Sequence, residues 1–79
     1  MPRVIVRYFA SLRETRGTES EEVHLEVGQT IGELYDTLFP PSPAGQLPVG
    51  YARNERMVPR DEVLADGDEV AFLPPLGGG

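Results

Sequence analysis

The chain has 79 residues and a mass of 8.7 kDa, room for one small domain with a compact core and no deep substrate pocket of its own. Thirteen acidic residues stand against seven basic ones, a formal net charge of -6, which argues against nucleic acid and anionic membranes as partners because both need a basic footprint. Cysteine is absent, so disulfide staples, zinc–thiolate sites, iron–sulfur clusters and thiol nucleophiles are excluded together.

In chain order, residues Arg3 to Phe9 alternate, with Val4, Val6 and Tyr8 on one side and Arg3, Ile5, Arg7 and Phe9 on the other. That period of two, in branched and aromatic residues, predicts a half-buried strand. Ala10 to Gly17 has space for one helical turn around Leu12, closed by Gly17. Glu22 to Val27 alternate again, with Val23, Leu25 and Val27 apolar, and predict a second strand paired antiparallel with the first. Thr30 and Glu33 form a T-x-x-E capping box. Ile31, Leu34, Tyr35 and Leu38 follow at helical spacing, and Pro40-Pro41 ends the helix. The proline-rich stretch from Pro40 to Pro48 reads as a loop. Val49 to Arg53 predicts a strand, Asn54-Glu55 a tight turn, and Met57-Val58 a very short return strand limited by Pro59. Ala65-Asp66-Gly67-Asp68 has the residues a turn needs. Glu69 to Leu73 is the last strand, with Val70 and Phe72 facing one way and Ala71 and Leu73 the other.

One mixed sheet of four to five strands with one main helix on one face is the expected α+β architecture. The first and last strands carry the strongest apolar alternation, which places them side by side in the middle, in parallel. That is the β-grasp, or ubiquitin-like, arrangement. Residues 1–73 form the expected domain and 74–79 an extended tail. No basic and apolar leader opens the chain and no apolar run is long enough to span a membrane, so a cytoplasmic protein is the expectation.

The end of the chain is Pro74-Pro75-Leu76-Gly77-Gly78-Gly79. The prolines cannot extend a strand ladder and hold the backbone extended. Six extended residues reach on the order of 20 Å. The glycines present only backbone, so such an arm can thread a channel that side chains would block. A floppy terminus is the plainer reading of a glycine-rich end; the proline stiffener directly after a core strand speaks against it.

The stretch Asp66-Gly67-Asp68-Glu69-Val70-Ala71-Phe72-Leu73-Pro74-Pro75-Leu76-Gly77-Gly78-Gly79 resembles the C-terminus of the molybdopterin synthase small subunits, a family of sulfur carriers. Val6-Arg7-Tyr8-Phe9-Ala10-Ser11-Leu12-Arg13-Glu14 is similar to that family's opening strand and turn. The Phe72-x-Pro74-Pro75 context is the specific part, since a Gly-Gly end is common to ubiquitin-like carriers. The resemblance implies that an E1-like adenylyltransferase activates the Gly79 carboxylate with ATP. A sulfur donor enzyme then supports its conversion to a thiocarboxylate. Pro74, Pro75, Leu76, Gly77 and Gly78 insert into the large synthase subunit, in a heterotetramer, and the sulfur passes to cyclic pyranopterin monophosphate. The carrier itself holds no cofactor or metal and is not catalytic alone. Two other functions fit the same residues: a ubiquitin-like modifier conjugated through Gly-Gly, and a sulfur carrier for tRNA thiolation, thiamine or cysteine.

Phe9, Ile5, Met57 and Leu73 fall on the sheet side away from the helix, and clustered exposed apolar groups mark interaction sites. The resemblance selects Phe9, Met57 and Leu73 as the interface to the large subunit. His24 is the lone histidine and reads as a solvated strand residue. Asp66, Asp68 and Glu69 lack the rest of a calcium loop and read as an acidic turn. All seven basic residues are arginine; a compositional bias is the plain reading, and protection of an activated end from stray amines the sharper one.

Overall fold

Alternation in the opening segment becomes strand β1, Arg3–Tyr8, with Val4, Val6 and Tyr8 buried and the residues between them exposed. The computed structural model describes residues 1–41 and 48–75. The middle of the Pro40 to Pro48 loop and the tail residues Leu76, Gly77, Gly78 and Gly79 lie outside the described residues.

Helix α1, Ala10–Arg16, is a full seven-residue helix where the sequence predicts a single turn. Only Leu12 in it is buried, so apolar periodicity carries almost no signal. Its ends and flank hold it. Gly17 closes it in the left-handed region at φ 75°, donating its N–H to the Arg13 carbonyl at 2.8 Å, the glycine C-cap geometry. Arg16 at its last turn donates to Glu21 at 2.6 Å.

Strand β2 runs Ser20–His24, two residues earlier at its start and three earlier at its end than the alternation predicts. It is an edge strand, so its bounds follow its antiparallel partner: Arg7 pairs with Ser20 and Arg3 with His24, where β1 begins. Val23 is half-buried. Leu25 is buried just past the strand, its N–H donating to the Pro2 carbonyl. Val27, expected on the apolar side, is 92% exposed in the turn before Gly28.

Helix α2, Ile31–Leu38, carries the predicted capping box. The Glu33 amide donates to Thr30 Oγ1 at 3.1 Å, and the Thr30 amide donates to Glu33 Oε1 at 2.9 Å. Two of the four orphan amides of a helix start are thereby satisfied. Ile31, Leu34 and Tyr35 point into the core.

Strands β3, Gly50–Arg53, and β4, Arg56–Val58, form a hairpin. Its turn residues Asn54 and Glu55 have φ of 51° and 69°, the sign that a two-residue hairpin turn requires. Strand β5, Glu69–Leu73, completes a five-stranded sheet in the order β2-β1-β5-β3-β4. β1 and β5 pair in parallel at its centre, and β5 pairs antiparallel with β3. The predicted β-grasp is thus the observed one, with two helices.

Among the described residues, the main core cluster lies on one face of the sheet. Val4, Val6, Tyr8, Val70 and Phe72 of the two central strands meet Leu12, Leu25, Ile31, Leu34, Tyr35 and Leu64. Rings interlock at its centre: Tyr35 lies 5.0 Å from Phe72, and Phe39 stands edge-on to Tyr8 at 5.8 Å. Edge-on and tilted aromatic pairs contribute about 0.5–1.5 kcal/mol each beyond area burial. Among the described residues, no helix is long and apolar enough to cross a membrane.

Candidate functional site

The tail begins where the sheet is strongest. β5 is hydrogen-bonded on both sides, and Gly50 of β3 stands opposite Leu73, the last residue before the prolines. Pro74 is half-buried against the body and Pro75 is exposed. Both prolines therefore fix the direction in which the chain leaves.

The face opposite the helices is open, and pairing register assigns its residues. Arg3, Ile5 and Arg7 of β1 stand beside His24, Glu22 and Ser20 of β2, and on the other side Ile5 and Arg7 stand beside Glu69 and Ala71 of β5, with Leu73 further along β5. Gly50 and Ala52 of β3, then Met57 of β4, continue the row. This face has two halves. Towards β2 it is charged, with Arg3 to Glu22 at 3.0 Å and Arg7 to Glu69 at 3.8 Å. Towards β4 it is apolar. Phe9 and Leu73, 44% and 37% exposed, border a concavity of about 160 Å³ lined also by Ala52 and Ala71 and by the charged residues Arg7, Glu55 and Glu69. Met57 is 65% exposed, with its methyl close to Gly50 and so beside Leu73. The three apolar residues predicted for the interface are therefore neighbours at the root of the tail. Ile5, 42% exposed, stands in the charged half.

The small residues that line this hollow, Ala52 and Ala71, and Gly50 beside Leu73, escape a reading that looks for bulky groups. Their signal is alternation of small side chains along β3, which leaves room for a neighbouring surface.

A polar network behind the tail fixes β5 from its other end. Asp68, only 7% exposed, accepts from Arg53 Nε at 2.7 Å, from Asn54 Nδ2 at 2.9 Å and from the Ala65 amide at 2.8 Å. Arg53 also donates to Glu62 at 2.9 Å. Burial by itself would raise the Asp68 carboxyl, but the Ala65 amide, Asn54 and Arg53 together hold it below the ordinary carboxylate value. The acidic turn read from the sequence is this anchor. On the far side of the sheet, Tyr8 donates to Glu21 at 2.6 Å and Arg16 donates to the same oxygen. The Tyr8 hydrogen bond, with Arg16 behind it, lowers the Glu21 carboxyl; burial and that bond push the Tyr8 hydroxyl well up. Neither network faces the tail root, so both are structural. Among the described residues, no group of three or more His, Asp or Glu side chains could hold a metal ion, and His24 is exposed at the charged edge.

A mixed sheet with a parallel central pair, a capped helix across one face and a central strand running out into a Pro-Pro-Leu-Gly-Gly-Gly end defines the ubiquitin-like β-grasp class. Within it the chain belongs to the ThiS family, whose model matches residues 6–79. It is 40% identical over its whole length to the molybdopterin synthase sulfur carrier subunit of Mycobacterium tuberculosis, all of which is covered. It is 35% identical to that of Escherichia coli K12, over 94% of this chain and 96% of the relative. Small archaeal modifier protein 1 of Haloferax volcanii is 31% identical, over 92% of this chain and 97% of the relative. Among solved structures, a putative molybdopterin converting factor subunit 1 from Pyrococcus furiosus superposes with a TM-score of 0.76 and 29% identity, covering 96% of this chain and all of that one. A complex of subunits 1 and 2 of molybdopterin-converting factor from Helicobacter pylori matches in fold, with a TM-score of 0.56 and 21% identity, over 98% of this chain and 99% of that one.

Proposed function

We propose that this chain is the sulfur carrier subunit of molybdopterin synthase. Full-length identity to molybdopterin synthase sulfur carrier subunits carries this reading, and the exit of the tail beside an open apolar face supports it. The Gly79 carboxylate attacks ATP on an E1-like adenylyltransferase, forming an acyl-adenylate and releasing pyrophosphate. A carboxylate is a poor electrophile, and adenylation gives it a good leaving group. Sulfur delivered by a donor enzyme then displaces AMP and leaves a thiocarboxylate. The arm from Pro74 to Gly78 enters the large subunit, and Phe9, Met57 and Leu73 dock on that subunit beside the channel. The thiocarboxylate sulfur passes to cyclic pyranopterin monophosphate, and two such deliveries make the dithiolene. Residues 1–73 act as the holder and residues 74–79 as the working part. The chain contributes no acid, base or metal; both partner enzymes supply them.

Reconstitution tests this directly. Thiocarboxylated chain, large subunit and pyranopterin substrate are expected to yield dithiolene, and the same mixture with the unmodified carboxylate is not. A product formed equally by both would overturn the assignment. The similarity to a small archaeal modifier protein favours one second reading, conjugation of Gly79 to lysines of other proteins. Mass spectrometry of the chain from its host separates the two: exchange of one oxygen for sulfur marks the carrier, and higher-mass conjugates mark the modifier.

A further inference from the structure

Gly50 stands in a strand where its backbone does not call for glycine. The described glycines at positive φ are Gly17, Gly28 and Gly67, and Gly50 is not among them. Gly50 is the first residue of β3 and is paired with Leu73; a glycine in a strand weakens it, because it orders a flexible backbone and packs nothing. Its surroundings explain its presence. A Cβ placed on Gly50 would lie 2.9 Å from the Met57 methyl carbon, 3.8 Å from Leu73 Cβ and 3.9 Å from the Leu73 carbonyl oxygen. The Met57 backbone pairs with Ala52, two residues further along β3. Its side chain must therefore run along β3, with its end in the space a side chain at position 50 would fill. Leu73, the other neighbour of that space, is the last residue before the tail.

We propose that Gly50 is a positioning residue for docking of the large subunit: its missing side chain seats the Met57 methyl beside Leu73, so that thioether and isobutyl group present one low apolar surface at the root of the tail. This rests on the reading that the open face meets that subunit. A methionine is unbranched and polarisable, suited to conform to a partner once it is held low. With a methyl group at position 50, the end of Met57 must leave its present place beside Leu73, and the surface offered to the partner changes.

Three full-length variants test this: Gly50→Ala, Met57→Ala and the double substitution. Affinity for the purified large subunit is measured by calorimetry, alongside thermal melting. Gly50→Ala is expected to weaken binding about threefold to tenfold with an unchanged or slightly raised melting temperature, since alanine is the better strand residue. The double variant is expected to bind no more weakly than Met57→Ala alone, because the two positions act through one contact. Met57 is one of only two methionines, so methyl-labelled methionine gives a direct readout in the free chain. The Met57 signal is expected to shift in Gly50→Ala while that of Met1 stays. An unmoved methyl signal, unchanged affinity or full additivity with Met57→Ala would each overturn the proposal. If Met57→Ala and Phe9→Glu both leave affinity untouched while the methyl signal moves, the docking face itself is misplaced and the role of Gly50 falls with it.

Discussion

Phe9 and Leu73 are the residues on which the docking assignment turns, since both are half-exposed and contribute little to the core. Phe9→Glu or Leu73→Glu is expected to weaken binding to the large subunit by about tenfold or more, as charge in an apolar interface centre does, while chain stability changes by about 1 kcal/mol or less. Titration calorimetry and thermal melting read the two effects separately. Tyr8 makes the opposite case. Tyr8→Phe keeps the ring in the core and removes the donor to Glu21, a hydrogen bond to a charged group, so a loss of about 1–2 kcal/mol is expected in denaturant unfolding. Its titration has a sign. Folding raises the Tyr8 hydroxyl above its ordinary value of 10.0, so its contribution is complete below about pH 10 and is lost as pH rises through the folded value. Glu21 and Asp68 are lowered from 4.5 and 3.8, so theirs is complete above those values and is lost as pH falls towards the folded ones. Stability followed from pH 7 in both directions is expected to decline below about pH 4 and again above about pH 10, and Tyr8→Phe to lessen the alkaline decline, to which Tyr35, raised chiefly by burial, also contributes.

Elements differ in how openly the sequence declares them. β1 and α2 are legible because each repeats one apolar face: Val4, Val6 and Tyr8 at period two, and Ile31, Leu34 and Tyr35 behind a complete capping box. Replacing the cap, as in Thr30→Ala, is expected to cost about 1 kcal/mol, a fall of roughly 4–8 °C in melting temperature for a domain of this size. α1 and β2 hide because tertiary partners define them. α1 buries one side chain and is held by Gly17 and the Arg16–Glu21 pair. β2 is a run of Ser20, Glu21 and Glu22 whose pairing with β1 sets its limits. The candidate site divides in the same way. Its bulky members, Phe9, Met57 and Leu73, stand out as apolar residues on the wrong side of an alternating strand. Its hollow, with Ala52 and Ala71 in its lining, becomes visible only when β3 and β5 are laid side by side.

For the whole molecule, the proposed function divides stability and sulfur transfer between body and tail. Deleting Gly79 is expected to abolish sulfur transfer and leave the melting temperature unchanged, because the core cluster of the described residues is built between Val4 and Phe72; a marked drop in melting temperature would contradict the division. Gly78→Val keeps the terminal carboxylate but adds bulk and restricts the backbone, and is expected to lower adenylation or transfer by about tenfold or more, since small misplacements at a reacting centre have effects of that order. The topology adds a mechanical consequence. β1 and β5 are parallel neighbours, so the amino-terminal end of one and the tail-bearing end of the other lie at opposite ends of the same ladder. A pull on the tail against the amino terminus loads those hydrogen bonds in shear, all at once, where an antiparallel hairpin would be peeled open one bond at a time. Under the proposed function, an enzyme that grips the tail pulls along the axis on which the body is braced, and meets the sheet in its stiffest direction.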